Sequence, residues 1–327
     1  MPLINGRQVG PIGFGLMGLT WRATACPDER AFATMRTALE HGCNFWNGGE
    51  FYGTPENNSM TLLAKYFNEY PDDADRVFLS MKGAISNFVP DSSPEGIRQS
   101  VGNIIEQLKG TKKIDTFEPA PRDPKTPLSV TYEALEKDFI SRGLVGGVSL
   151  SEVSAKTIHE AAKVRKIDTV EVELSLWSTD VLRNGVAAAC HQYGIPIVAY
   201  SPLGGGILTG KIRKIEDLPA GDHKRSFSRY TPEAMEVNLK LVDAVTRLAQ
   251  EKGCISAQLA INWVRSLSRR PGMPVIIPIP GATSPERVEE NSKIVEVTDA
   301  EMEEIDQILS EFEIVGGRYP DYAPIET

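Results

Sequence analysis

The sequence predicts an α/β fold, a (β/α)8 TIM barrel, and three observations carry the prediction. Short apolar runs recur about every 25–36 residues, and eight can be counted. Nearly every run is followed by a stretch with helical spacing of its apolar residues. No linker or low-complexity segment interrupts the series. Strands alternating with helices pair in parallel through βαβ units, and eight such units in one chain imply a closed barrel. A single domain spanning 1–327 is expected.

Residues 3–10 read as an N-terminal hairpin turning at Asn5-Gly6. The first barrel strand is expected at 12–16, in Ile12-Gly13-Phe14-Gly15-Leu16-Met17-Gly18. That run contains a Gly-x-Gly-x-x-Gly, which alone suggests a Rossmann dinucleotide site. The context is against it, because Leu19-Thr20-Trp21-Arg22 leads into Cys26-Pro27 and the helical pattern starts only near Asp28. A glycine-rich strand that lets a ligand approach is the better account. Asp28 then caps a helix to about 41, with Phe32, Met35, Ala38 and Leu39 on one face. Strands follow near 43–46, 77–81, 113–118, 144–148, 168–174, 195–200 and 275–279. Helices are expected near 56–69, 94–109, 129–141, 154–165, 180–193 and 236–252. The gap between strands seven and eight holds a long loop, about 203–235, a natural cover for a ligand at the C-terminal face. Helix 299–311 should pack outside the barrel through Met302, Ile305, Ile308 and Leu309, and residues 312–327 form an aperiodic tail.

Composition narrows the function classes. With 41% hydrophobic and 24% charged residues the chain is ordinary for a globular protein. A net charge of −9 argues against nucleic acid or an anionic membrane as the main partner. Cys26, Cys43, Cys190 and Cys254 lack metal-ligand spacing and read as free thiols in a reducing compartment. The N-terminus shows no signal-peptide core, and no apolar stretch of about 18 residues exists to span a membrane. A cytoplasmic location is expected, with the nucleus as the alternative, and no metal site.

The most informative stretch is Asn44-Phe45-Trp46-Asn47-Gly48-Gly49-Glu50-Phe51-Tyr52-Gly53. An apolar run ends there in a glycine-containing turn that presents a tyrosine. About thirty residues later Val77-Phe78-Leu79-Ser80-Met81 ends in Lys82. Two neighbouring strands would bring phenol and ammonium together at their C-terminal ends. A buried lysine cation favours the phenolate and lowers the tyrosine's pKa from about 10, making the phenol a usable proton donor. The alternative is an aromatic and a charge at unrelated strand ends.

Four landmarks in order, Asn44-Phe45-Trp46-Asn47…Tyr52-Gly53, Lys82, Tyr200-Ser201-Pro202-Leu203-Gly204, and Ile279 through Asn291, resemble the aldo-keto reductases over essentially the whole chain. The resemblance implies an NADPH-dependent carbonyl reductase, with Tyr52 as proton donor and Lys82 as the lysine that depresses its pKa. Two family positions differ. Asn47 stands where the family has a catalytic aspartate, and Ala120 stands where it has a histidine. Glu118, sharing strand parity with Ala120, or Glu50 is a candidate for the missing charge; the alternative is that both are solvated at the rim. These departures, with Ile12 to Trp21, are similar to the pyridoxal reductase branch, which reduces pyridoxal to pyridoxine. Without the histidine the pocket suits a substituted pyridine, and Trp21, Phe51, Phe88 or Trp177 is expected to stack on it, core packing being the alternative for each.

The resemblance also implies a cofactor site. Ser151 falls where the family binds the nicotinamide carboxamide, followed by Glu152 in place of asparagine, and Glu171 takes the place of a glutamine. Tyr200 would stack under the nicotinamide, and Ser201, Leu203 and Gly204 would approach the pyrophosphate. Thr283 and Ser284, before Pro285, form an anion site for the 2′-phosphate. Arg287 supplies a planar donor pair, with Glu290 and Asn291 on the same helix at the adenine; a solvated helix face is the alternative. Tails of this family often fold over the substrate site. Expected partners are therefore NADPH and a small carbonyl substrate, with the chain a monomer or weak oligomer. The incomplete tetrad leaves two other readings: a reductase of another aldehyde or ketone, and a regulatory NADPH-binding protein with little turnover.

Overall fold

A computed structural model describes residues 1–22, 24–86, 89–319 and 326–327. Four parallel strands, Phe14–Gly15, Phe45–Gly49, Phe78–Gly83 and Thr116–Pro119, pair in that order. Leu150–Ser151, Val170–Glu173, Ile197–Tyr200 and Ile276–Pro278 form a second parallel sheet. Parallel bridges Ile114–Val145 and Phe117–Val148 join the sheets at one seam, and Gly15–Gly281 joins them at the other. At that second seam Gly13 N–H donates to the Pro278 carbonyl at 2.9 Å. Eight strands therefore run around a (β/α)8 barrel.

The expected hairpin is present, with Leu3–Ile4 antiparallel to Arg7–Gln8. Asn5 and Gly6 both have positive φ, as this two-residue turn requires. Its Ile4, with Val9, is buried in a small cluster with Phe45, Phe78, Val198, Ile277 and Ile279. Phe45, Phe78, Val198 and Ile277 stand at the first or second position of their strands, so the hairpin plugs the N-terminal end of the barrel. Above the plug the lining turns polar: Thr116 Oγ1 and Thr169 Oγ1 lie 2.9 and 2.7 Å from Ser149 Oγ. Most of the apolar core lies outside, between the outward strand residues (Trp46, Leu79, Met81, Phe117) and the helices.

Helix Pro94–Leu108 illustrates the local logic. Ser93 Oγ accepts from Gly96 N–H at 3.1 Å, and proline stands at the first position. Ile97, Val101, Ile104 and Leu108 then form one buried stripe. Lys109 takes a left-handed conformation at the end.

Several expectations need correction. A one-turn helix, Met17–Thr20, does follow the glycine-rich strand, before helix Asp28–Glu40. The glycines serve strand packing: a Cβ on Gly13 would stand 2.7 Å from the Phe45 carbonyl oxygen and 2.8 Å from Ile279 Cγ2. Strand five is regular only over Leu150–Ser151, with isolated bridges at Val145 and Val148, and Gly147 passes so close to Asp168 that a Cβ would overlap its carboxylate. The expected helix 180–193 is a short 3-10 turn, Asp180–Leu182, then helix Val186–Tyr193, which begins after left-handed Gly185. Between strands seven and eight lie two helices rather than one. Pro232–Lys252 is the expected one, and the unexpected Ser256–Ser266 packs beside the last strand. Nearly every residue of the latter is buried, including the polar Ser256, Gln258, Asn262 and Ser266. Helix Asp299–Glu311 packs against Pro232–Lys252. No described helix is long and apolar enough to cross a membrane.

Candidate active site

Strand two delivers Asn47 and then turns. Glu50 N–H donates to the Lys82 carbonyl at 2.8 Å, tying the turn to strand three. Tyr52 N–H returns to the Gly49 carbonyl at 3.1 Å, and Tyr52's own carbonyl accepts from Ser59 N–H and Thr20 Oγ1 at 3.2 and 2.8 Å. A Cβ on Gly49 would press on the Tyr52 ring at 3.1 Å, so glycine is what lets the ring lie across the strand end. The Lys82 ammonium sits 5.6 Å from the centroid of that ring. The phenol and the amine do meet.

Beneath them is a fully buried network. Lys82 Nζ donates to Asn47 Oδ1 at 2.6 Å and pairs with Glu171 Oε1 at 2.5 Å. Asn47 Nδ2 donates to Glu171 Oε2 at 2.5 Å and to Glu118 Oε1 at 3.1 Å. Ser80 Oγ also donates to Glu118 Oε1, while Glu118 Oε2 is buried without a partner. The inward parity expected for Glu118 is observed, and its side chain is fully enclosed, not solvated at a rim. Glu50 points elsewhere, to Ser100 Oγ at 2.5 Å and Asn103 Nδ2 at 2.7 Å, and burial pushes its carboxyl up.

The electrostatics differ from the expectation in one respect. Burial raises the Tyr52 pKa, and the Lys82 charge offsets this only partly, with Glu171 and Glu118 acting against it. The phenol is thus a stable acid at neutral pH, tempered by the ammonium. Lys82 is pushed down by burial but up by Glu171, Tyr52 and Glu118, and the net direction is up, so the cation persists. Burial raises Glu171 to about 8; Lys82 opposes that rise and Glu118 reinforces it.

The expected substrate-side residues divide. Trp21 is 43% exposed, stacks on Tyr52 at 5.5 Å and meets Phe51 edge-on at 5.8 Å. Ala120 is buried at the end of strand four, its N–H bonded to the Gly83 carbonyl at 3.0 Å. Trp177 is a correction. It is 2% exposed, with the Arg229 guanidinium 4.8 Å from its ring and Tyr230 edge-on at 5.3 Å, so it packs the loop below Gly204 rather than offering a face. Phe88 lies outside the described residues.

On the cofactor side, Ser151 is buried beside Glu171 in the strand register. Glu171 is a second correction: its Oε1 pairs with Lys82 and its Oε2 accepts from Asn47 Nδ2, so both oxygens are taken by side chains of the barrel interior. The half-buried Tyr200 bonds through its hydroxyl to that of Tyr319 at 2.8 Å. Ser201 has positive φ, and Leu203 leads into Gly204, Gly205 and Gly206, all with positive φ. Thr283 precedes Ser284, which caps helix Pro285–Ser292 by accepting from Arg287 N–H at 3.5 Å. The partly exposed guanidinium of Arg287 is held by Glu290 at 2.5 Å, and Asn291 Nδ2 reaches the Gly281 carbonyl at 3.5 Å. A capped helix start with a side-chain guanidinium beside it has the donor chemistry for a phosphate monoester.

Sequence reasoning missed several participants. Ser80 stands two residues before Lys82 and shares its face, a period-2 signal that was available. Glu173 was also missed; with Glu152 and the tail's Arg318 it forms a cluster at the ends of strands five and six, Arg318 lying 3.1 Å from Glu152 and 3.4 Å from Glu173. Glu326 bonds Arg122 at 2.9 Å and Thr157 Oγ1 at 2.6 Å. Described tail residues thus lie over the same strand ends as the site. Among the described residues no group of three or more His, Cys, Asp or Glu could hold a metal ion.

Residues 11–310 match the sequence profile of the aldo/keto reductase family. The chain belongs to that family. It is 41% identical to the probable pyridoxal reductase 2 of Schizosaccharomyces pombe, over 98% of this chain and 97% of that protein. It is 37% identical to the putative pyridoxal reductase of Saccharomyces cerevisiae, over 94% and 95%. In fold it resembles a glycerol dehydrogenase from Gluconobacter oxydans, with a TM-score of 0.80 at 21% identity, covering 93% of this chain and 92% of that one. As an aldo-keto reductase the chain is an oxidoreductase.

Proposed function

We propose that this protein is an NADPH-dependent aldehyde reductase that converts pyridoxal to pyridoxine. The observation that carries the reading is the buried Tyr52 phenol above the Lys82 ammonium, at the C-terminal end of a barrel. NADPH, when bound, supplies the hydride that reduces the aldehyde carbon. Tyr52 holds the proton that goes to the carbonyl oxygen, leaving an alcohol and a phenolate that Lys82 stabilises. Ser284 and Arg287 favour the 2′-phosphorylated dinucleotide, and Thr283, Glu290 and Asn291 complete that end of the site. Ser151, Tyr200, Ser201, Leu203 and Gly204 bind the remainder.

Two observations favour pyridoxal among aldehydes. The relatives named above are pyridoxal reductases, and the exposed Trp21 beside Tyr52 offers an aromatic face to a pyridine ring. We read the chain as one barrel domain acting in the cytoplasm as a monomer or weak oligomer. The test is NADPH consumption with pyridoxal and a panel of other carbonyls, with Tyr52→Phe as control. Preference for pyridoxal, abolished in the control, supports the proposal. Turnover of other carbonyls alone would reassign the substrate, and tight NADPH binding without turnover would make the protein a regulatory NADPH binder.

A further inference from the structure

The resemblance implies an aspartate on strand two beside the lysine and a glutamine at the cofactor site on strand six; here strand two carries Asn47 and strand six carries Glu171. We infer that acid and amide have exchanged strands, so that Glu171 is the positioning carboxyl of Lys82 and Asn47 the neutral bridge between them. The inference rests on the catalytic reading of Tyr52 and Lys82 given above. Three contacts argue it. Glu171 Oε1 meets the Lys82 ammonium at 2.5 Å, which neither Glu118 nor Glu50 contacts by hydrogen bond or ion pair. The second Glu171 oxygen accepts from Asn47 Nδ2 at 2.5 Å, so both oxygens of the carboxylate face donors. Asn47 Oδ1 in turn accepts from Lys82 at 2.6 Å, closing a three-membered ring of side chains. An aspartate at position 47 would place a third carboxylate beside Glu118 and Glu171, which one ammonium could not neutralise.

Function follows from placement. The ring fixes Lys82 under the phenol, and Glu171, ionised above about 8 and so in the range where Tyr52 titrates, is the nearer negative charge opposing the lysine's pull on the Tyr52 proton. Glu118 is more remote, held by Ser80 and Asn47. Loss of the Glu171 charge therefore makes Tyr52 a stronger acid, and loss of the Glu118 charge does so to a smaller extent. Returning the acid to strand two reverses the change.

The experiment compares the full-length protein with Glu171→Gln, Glu118→Gln and the double exchange Asn47→Asp/Glu171→Gln. Tyrosinate absorbance is titrated in each, against the same background carrying Tyr52→Phe, because the chain has nine tyrosines. The phenol absent from the Tyr52→Phe background should titrate about one pH unit lower in Glu171→Gln, a tenfold change in its ionisation constant. The alkaline limb of the reduction rate should move with it. Glu118→Gln should shift less, and the double exchange should return both readouts toward the parent. An unmoved Tyr52 in Glu171→Gln, a shift no larger than in Glu118→Gln, or no recovery in the double exchange would overturn the inference. The titration needs no turnover, so a parent inactive on pyridoxal would fail the substrate reading while leaving this test intact.

Discussion

Replacing Glu171 by glutamine should change how stability depends on pH. In the folded protein burial and the neighbouring Glu118 raise this carboxyl from its ordinary 4.5 to about 8, against the pull of Lys82. A raised carboxyl binds its proton more tightly folded than unfolded. Its contribution to stability is therefore fully present below pH 4.5 and is lost as pH rises toward 8. Each pH unit in that window costs about 1.4 kcal/mol, giving a ceiling of about 5 kcal/mol. Glutamine is neutral throughout and escapes the loss. It also carries a pH-independent penalty, because its amide nitrogen would face Asn47 Nδ2 where a carboxylate oxygen accepted. Parent and variant melting temperatures, measured from pH 5 to 8, should diverge in the variant's favour by up to about 6 °C beyond their difference at pH 5. A parent that gains on the variant as pH rises would refute the reasoning, since an ordinary ion-paired carboxylate has a lowered pKa and the opposite slope.

Tyr52→Phe should cut the reduction rate by about 10²–10⁴-fold, the usual contribution of a general acid, while NADPH binding measured by fluorescence stays unchanged. Arg287→Ala should weaken NADPH by about tenfold and leave NADH alone, because only the phosphorylated cofactor presents a partner for a charged hydrogen bond; equal losses for both would move the phosphate elsewhere. Ile4→Ala should cost about 2–5 kcal/mol in chemical denaturation, since the side chain is almost fully enclosed in the barrel plug. Catalysis at the opposite end should be spared in the folded fraction.

The strand–helix alternation was legible because outward strand residues and inward helix stripes are apolar at fixed periods, as in Pro94–Leu108. Helix Ser256–Ser266 escaped because its polar residues, Ser256, Gln258, Asn262 and Ser266, are buried along with its apolar ones and mark no exposed face. The meeting of Tyr52 and Lys82 could be read from their places at successive strand ends. The destination of Glu171 could not, since parity says that it points inward but not which donor across the barrel claims it. Glu50 shows the converse. It sits in the same turn as Tyr52, yet a half-turn of backbone sends it outward to Ser100 and Asn103. The net direction of the Tyr52 pKa was likewise out of reach, because burial and charge oppose each other and only their distances decide.

The division of the interior has an evolutionary corollary. Asn47 alternates along its strand with Trp46, and Glu171 with Val170 and Val172, and these outward neighbours belong to the aliphatic shell against the helices. Chemistry and cement thus occupy opposite faces of the same strands. A lineage can rewrite its reactive lining one residue at a time without disturbing the masonry, and a swapped acid and amide is the kind of trace such rewriting would leave.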